Sequence, residues 1–480
     1  MRIGSLKESL FSWLIAIVRR QEKGFLDRQL IGLVRRIARL HFFLPLISGY
    51  AISQIKTLGP RAVDPQGLCL LVLNQERYSA DLQVLANRPD VTLESLPSNT
   101  QHLINAIWVS KIREISSDDP NAYLMNESDE VKRVRTDLHR FLMRLISVLS
   151  KKLKIDGIVT CTFYYRQDRE WESAGHAVGV PFFVLHKENM KDPVTHRQTI
   201  DRYQRKHFLF RGDRLFLANE YERHVVLSAR CADPERISVV GALRMDALYA
   251  MLSPGIRSKK DKVVLFSTHH RLGLLEIPGV EGVFNPDYSD GFINHFRILH
   301  GSFAQLALEN PDKNFVIKTK WAGNWFDEVT RAIRAVVGKE LSEIENLVLT
   351  DSVPAQELIN SASVVVGLNS TALLEAKLAH VPVILPIFEE AAGKYYETNI
   401  YFRDYLDIFS VADSPQSLKK LVSDIISGIA LEQKPIPEDM VNKYLGYFDG
   451  CVADRVVDIM RQDISRVRGR SRLEGNGVVS

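Results

Sequence analysis

The 480-residue chain is poor in cysteine, and its four cysteines, Cys69, Cys161, Cys231 and Cys451, stand far apart with no CxxC pair. That spacing argues against a zinc ribbon or a disulfide framework and fits a reducing compartment. No P-loop, G-x-G-x-x-G or G-x-S-x-G pattern occurs, which removes the best-marked nucleotide-binding and hydrolase motifs. Histidines, cysteines and carboxylates never fall at convincing metal-ligand spacing, and Asp118-Asp119 is only a short acidic step in a polar loop. No metal and no cofactor is expected. Long apolar runs are lacking too. Between Arg39 and Lys56 lie sixteen uncharged residues, broken by Pro45 and Gly49, short of the ~20 that a membrane-spanning helix needs. The apolar run 10–18 has no small-residue cleavage site behind it, so no signal peptide is expected.

What is present is the balance of a globular protein, 45% apolar and 25% charged, enough at this length for two or three sizeable cores. The net charge of +4 is unevenly spread. Residues 1–39 hold nine Lys/Arg against three Asp/Glu, and residues 466–480 hold four arginines against one glutamate, so the body between them is mildly acidic. Basic ends on an acidic body suit an anionic membrane surface better than a nucleic-acid groove. Residues 5–18, which include Trp13, and residues 25–40, with Arg28, Arg35 and Arg39 off the apolar stripe, carry helical periodicity. Basic amphipathic helices of this kind lie in a headgroup layer or pack as a hairpin on a domain. The corresponding expectation is a cytoplasmic protein, peripheral on the inner face of the cell membrane, with no nucleic-acid partner.

From residue 67 the pattern changes to short β-branched runs alternating with helical stretches. Strands are expected at 67–73, 91–96, 156–161, 180–185, 215–218 and 237–240, with a long basic amphipathic helix over 129–153. This alternation predicts a parallel, doubly wound, Rossmann-like α/β domain over 61–253. Residues 254–261 (PGIRSKKD) are polar and rich in breakers, as a linker would be. The pattern then restarts, with strands expected at 262–267, 314–317, 346–349, 364–366 and 383–385, and predicts a second such domain over 262–448 facing the first across a cleft. The basic amphipathic segment 1–60 precedes the two domains. A helix over 449–464 should dock on one of them, and the arginine-rich stretch 465–480 has too few apolar residues to fold.

The second domain is organised around 364–386, VVVGLNSTALLEAKLAHVPVILP. A buried strand ends at Gly367, and Asn369, Ser370 and Thr371 are good N-cap types for the helix that follows. Such a turn presents free backbone N–H groups and the positive end of a helix dipole, a seat for phosphate. In a parallel sheet the polar strand ends share one edge. Ser267, Thr268 and His269, Lys318 and Lys320, Thr350-Asp351, and Asn369, Ser370 and Thr371 should therefore line one cleft, the lysines neutralising phosphate charge. Glu375, one turn in, suits either ribose hydroxyls or the surface. In the first half, His186 and Glu188 follow a strand end and are the strongest acid–base candidates, able to deprotonate an acceptor hydroxyl. Asp81, Asp168 and Glu170, at helix starts, are weaker ones. Arg244 and Asp246 sit near the expected hinge, where Arg244 could help hold a nucleotide.

Two stretches, ERISVVGALRMD (235–246) and DSVPAQELINSASVVVGLNSTALLE (351–375), resemble the interdomain and donor-binding segments of GT-B glycosyltransferases of bacterial surface and capsular polysaccharide synthesis. The resemblance spans about 156–464 and extends to CMP-sugar transferases, CDP-glycerol phosphotransferases and UDP-N-acetylglucosamine 2-epimerases. It implies a GT-B fold and metal-independent transfer of a sugar from a nucleotide-sugar donor to a glycan or lipid-linked acceptor. Asn369, Ser370 and Thr371 match the Ser/Thr motif that grips the donor phosphate. The His-Pro pair that several members carry after the strand at 314–317 is replaced by Lys318-Thr319-Lys320-Trp321, so a lysine would supply the leaving-group charge. The same resemblance leaves open a sugar-nucleotide epimerase, a polyol-phosphate transferase, or a non-catalytic nucleotide-sugar-binding subunit.

Overall fold

The computed structural model describes residues 44–476 apart from 65, 102–103, 105–127, 166–167, 189–192, 253–259, 269–291, 321, 394–399 and 430–433. The helices expected at 5–18 and 25–40, most of the linker, and His269 lie outside the described residues.

Two mostly parallel sheets with flanking helices make a two-domain α/β architecture. The first sheet contains β1 (Lys56–Leu58), β2 (Leu68–Val72), β3 (Val91–Ser95), β4 (Gly157–Thr160), β5 (Phe182–Leu185), β6 (Arg214–Leu217) and β7 (Ile237–Val239). Its order is β1-β3-β2-β4-β5-β6-β7, with only β1 antiparallel. The second contains β8 (Lys262–Phe266), β9 (Asn314–Lys318), β10 (Leu347–Thr350), β11 (Ala362–Gly367), β12 (Val383–Pro386) and β13 (Ser410–Ala412). All its pairs are parallel, in the order β10-β9-β8-β11-β12-β13. The strand order therefore reverses between β2 and β4 in the first sheet and between β8 and β11 in the second. Open sheets of this kind take ligands at such switch points.

The helices are α1 (Leu44–Gln54), α2 (Ser79–Ala86), α3 (Asp129–Leu153), α4 (Arg169–Ala177), α5 (Pro193–Arg205), α6 (Glu220–Ser228), α7 (Met245–Met251), α8 (Ile293–Glu309), α9 (Asn324–Val337), α10 (Ala355–Ser361), α11 (Thr371–Leu378), α12 (Pro415–Ile426), α13 (Glu438–Tyr444) and α14 (Val452–Asn476). On one face of the first sheet, α3 buries Val131, Val134, Leu138, Leu142, Leu145 and Leu149. These are the helically spaced apolar positions that predicted it.

The other face is covered from far along the chain. After α13, α14 returns to the first domain and packs Val452, Val456, Val457, Met460 and Ile464 on Leu68, Leu70, Val72, Val159 and Phe183. Full burial of each such side chain stabilises by roughly 1.5–3 kcal/mol. Polar clamps fix its register. Asp246 accepts from the backbone N–H of Val452 (3.1 Å) and Ala453 (2.7 Å), and Arg214 pairs with Asp463 through two 2.8 Å bonds. The stretch expected to be unfolded from 465 is instead helical to Asn476. Arg466 pairs with Asp463 at 2.7 Å and Arg468 with Asp156, so charge pairing continues where apolar contacts stop.

Candidate functional site

In the second domain the strand ends share one edge by register. Gly367 of β11 lies opposite Phe266 of β8, Phe266 opposite Lys318 of β9, and Lys318 opposite Thr350 of β10. The residues after these positions therefore leave the sheet at one level. Gly367 is required there: a β-carbon would sit 2.9 Å from the Phe266 carbonyl oxygen and 3.0 Å from Leu373 Cδ2. Next, Asn369 takes a left-handed φ of 54° and accepts the Tyr401 N–H at 2.9 Å through Oδ1. Ser370 caps α11, its Oγ accepting from the Ala372 N–H at 3.3 Å. Thr371 opens the helix. Thr268 ties β8 to this turn by donating to the Leu368 carbonyl.

The side chains at the edge have different duties. Ser267 is buried in a structural network: His300 Nδ1 faces the Phe296 carbonyl at 2.7 Å, so in the neutral ring Nε2 accepts from Ser267 Oγ at 2.8 Å. Trp325 Nε1–H donates to the same oxygen at 3.0 Å. Lys318 Nζ donates to the carbonyls of Thr319 and Asp351, both at 2.7 Å, and burial lowers its pKa. It joins the ends of β9 and β10. Lys320 is affected by charges of the first domain. Burial lowers its pKa, the Glu188 carboxylate opposes that, and Lys187 adds to the lowering.

The first domain contributes the loop after β5. Glu188 is half-exposed, with Lys187 Nζ 3.8 Å from its Oε1. His186 lies inside the domain, its side chain fully buried against Phe163 and Tyr164 and 3.3 Å from Glu222 Oε1. It faces Glu222 on α6. Asp168 is also interior. It accepts from Asn74 (2.9 and 3.0 Å) and Thr160 (2.8 Å), and Gln101 donates to it at 2.5 Å. Burial raises its pKa from 3.8 to about 6 against these bonds. This network sits at the switch point of the first sheet, between the ends of β2 and β4. Glu170 pairs with Arg135 at 3.4 Å.

Arg244 bridges the domains. Its Nε lies 3.2 Å from Glu375 Oε1 on α11, and Gln356 Nε2 donates to Glu375 Oε2 at 2.8 Å. Its backbone N–H donates to Asp81 at 3.0 Å. Burial alone would lower the Arg244 pKa, but Glu375 and Asp81 outweigh it and raise it. Burial raises the Asp81 pKa in turn. Glu375, 2% exposed, is thus a partner for an arginine of the other domain in this structure. A cavity of about 20 Å³, lined in part by Asp81, Lys187, Gly241 and Arg244, lies beside this bridge, room for about one water.

Sequence reasoning missed Arg77, Tyr165, Lys187 and Gln356. The Arg77 guanidinium sits 4.6 Å from the Tyr165 ring centre and donates to its hydroxyl at 3.0 Å, and Lys187 Nζ donates to the Arg77 carbonyl at 3.4 Å. Only Lys187 had a signal, its place beside Glu188. Among the described residues, no group of three or more His, Cys, Asp or Glu side chains converges as metal ligands do.

No protein-family model matches the chain, and no curated protein matches it. Solved structures do. A UDP-GlcNAc 2-epimerase from Neisseria meningitidis bound to UDP-GlcNAc aligns over 83% of this chain and 100% of its own, at 12% identity and a TM-score of 0.42. The wall teichoic acid polymerase TagF aligns over 65% and 73%, at 13% and 0.41. A glycosyltransferase from Rickettsia africae ESF-5 aligns over 85% and 97%, at 10% and 0.35. At such identities and scores the likenesses settle neither activity nor substrate.

Proposed function

We propose that the chain is a glycosyltransferase that moves a sugar from a nucleotide-activated donor to a glycan or lipid-linked acceptor in surface polysaccharide synthesis. The observation that carries this reading is the in-register edge of the second sheet, which brings the capped α11 turn and the Lys318–Lys320 segment to one level. The Glu188 carboxylate favours the charged form of Lys320, and on this reading it stands across the same cleft. The donor phosphate rests at the amino end of α11, against the backbone N–H groups around Ser370 and Thr371. Lys320 supplies positive charge beside it, with Lys318 joining the ends of β9 and β10 behind it. The acceptor hydroxyl gives its proton to Glu188 as its oxygen bonds to the anomeric carbon. The anomeric carbon–phosphate oxygen bond breaks, and its electron pair leaves on the nucleotide, stabilised by Lys320 and the helix dipole. His186 stays outside this chemistry. The acceptor is held at an anionic membrane face.

The test is thermal-shift screening against UDP, CMP, CDP and GDP, followed by turnover of the matching nucleotide sugar with and without glycan acceptors. One nucleotide should raise the melting temperature, and Glu188→Gln should keep that shift while losing about 10²–10⁴-fold in transfer. Activity should survive EDTA. If no nucleotide shifts the melting curve, or Glu188→Gln transfers at the parental rate, the reading fails. Conversion of the free nucleotide sugar without acceptor would identify an epimerase instead.

A further inference from the structure

Arg244 and Glu375 come from different domains, and both are shielded from water, with side chains 15% and 2% exposed. Each is held at more than one point. Arg244 Nε donates to Glu375 Oε1 at 3.2 Å, and its backbone N–H donates to the Asp81 carboxylate of α2 at 3.0 Å. Glu375 accepts a second bond at Oε2, from Gln356 Nε2 of α10 at 2.8 Å. One run of contacts therefore passes from α2 of the first domain, through the β7–α7 loop, to α11 and α10 of the second. A buried ion pair is weak evidence for stability, because desolvating two charges offsets much of their attraction. What such a pair does supply is direction, since charge-assisted hydrogen bonds fix both distance and angle.

Direction is what the surrounding contact lacks. Ala242, Met245 and Leu248 of the first domain belong to one buried apolar cluster with Leu373 and Leu374 of α11 and Met440 of α13. Apolar burial resists separation but is non-directional, so by itself it leaves the domains able to rotate at this contact. The polar run stands beside it. Asp81 and Arg244 share the wall of the small cavity with His186 and Lys187, the start of the loop that carries Glu188. Glu375 lies four residues after Thr371, about 6 Å along the helix axis. Whatever holds its carboxylate therefore holds the amino end of α11 as well.

We propose that Arg244 is a positioning residue that sets the angle between the two domains, and with it the place of the α11 turn opposite the loop after β5. Its backbone is tied to α2 and its side chain to α11, so the two strand edges are held at one separation without any ligand. The fixed angle follows from these contacts alone. Its effect on transfer rests on the glycosyltransferase reading above, in which the acceptor base and the phosphate seat come from opposite domains.

The experiment compares the full chain with the double variant Arg244→Met, Glu375→Gln by small-angle X-ray scattering without ligand. Arg244→Ala alone strands a buried carboxylate and confounds angle with stability. The double variant strands no charge, and Glu375→Gln keeps an acceptor for Gln356, so the melting temperature should stay close to the parent's. The variant should show a larger radius of gyration and a broader distance distribution. A merely stabilising pair would instead lower the melting temperature and leave the scattering curve unchanged. Should the double variant not fold, Arg244→Lys keeps the charge without the planar guanidinium fork and should broaden the distribution to a smaller degree. A curve that superposes on the parent's, for whichever variant folds, overturns the proposal. The second arm uses the nucleotide that raises the melting temperature and its sugar. Transfer should fall about a hundredfold, the cost of a misplacement of about 1 Å, as a loss in kcat with donor KM kept. A parental kcat also overturns the proposal. If no nucleotide binds, the transferase reading fails, and the scattering comparison still decides the angle.

Discussion

Asp463→Asn tests how strongly α14 holds the first domain together. Asp463 is 3% exposed, and Arg214 meets both its oxygens at 2.8 Å with a side chain 15% exposed. Asparagine keeps the shape but turns one acceptor into a donor that faces an arginine N–H. Breaking a buried pair by changing one partner costs roughly 3–5 kcal/mol. Arg214 keeps its 2.7 Å bond to the Glu235 carbonyl and some solvent, which places the loss at the low end, about 3 kcal/mol. Arg466→Ala is the control. Its side chain is 50% exposed although it lies 2.7 Å from the same carboxylate, so its loss should stay below about 1 kcal/mol. Urea unfolding followed by fluorescence reports the first domain through buried Trp171 and the second through buried Trp325, and peptide-level hydrogen exchange locates the change. Exchange should rise in α14 and in the strands it covers while β8–β13 stay protected. A loss under about 1 kcal/mol for Asp463→Asn, or a rise spread evenly over both domains, would refute the account of α14 as the cover of the first sheet.

Two further perturbations probe the same frame. Gly446 has φ +76°, and a β-carbon there would overlap the Ala218 carbonyl oxygen. Gly446→Ala should therefore lose at least about 3 kcal/mol in chemical unfolding. Gly338→Ala, with φ +73° but open space around it, should lose only about 1 kcal/mol. Asp168 gives a pH signature. Because burial raises its pKa from 3.8 to about 6, the folded state binds the proton more tightly than the unfolded chain. Its contribution is fully favourable below the unfolded value and is lost as pH rises through about 6, a change of about 3 kcal/mol by neutrality. The stability difference between parent and Asp168→Asn, measured by denaturant across about pH 4 to 7, should shrink for the parent as pH rises. A flat difference contradicts it.

The repeating elements were legible because local physics writes them locally. The apolar periodicity of α3 matches its observed span, and the β-branched runs place β8 and β11 within a residue or two. β1 and β13 were missed because three residues each carry no usable alternation. The helical stretch after residue 465 was missed because Arg468 meets Asp156, 312 positions away, and composition alone does not reveal such a partner. The candidate site divides in the same way. Polar residues at strand ends could be named in advance, and sheet register brings them to one edge. Their partners could not be named: Glu375 meets Arg244 across 131 residues, and His186 meets Glu222 of a later helix. Side-chain choice between domains leaves no period in a sequence.

The Asp246 carboxylate and the helix it caps lie 206 residues apart, and that distance sets an order of events on the ribosome. The first sheet emerges early with one greasy face, which includes Leu70, Val72 and Phe183, covered only in part by α2. Its cover is synthesised only after the entire second domain. The first domain can therefore complete its core only after the second domain has been synthesised.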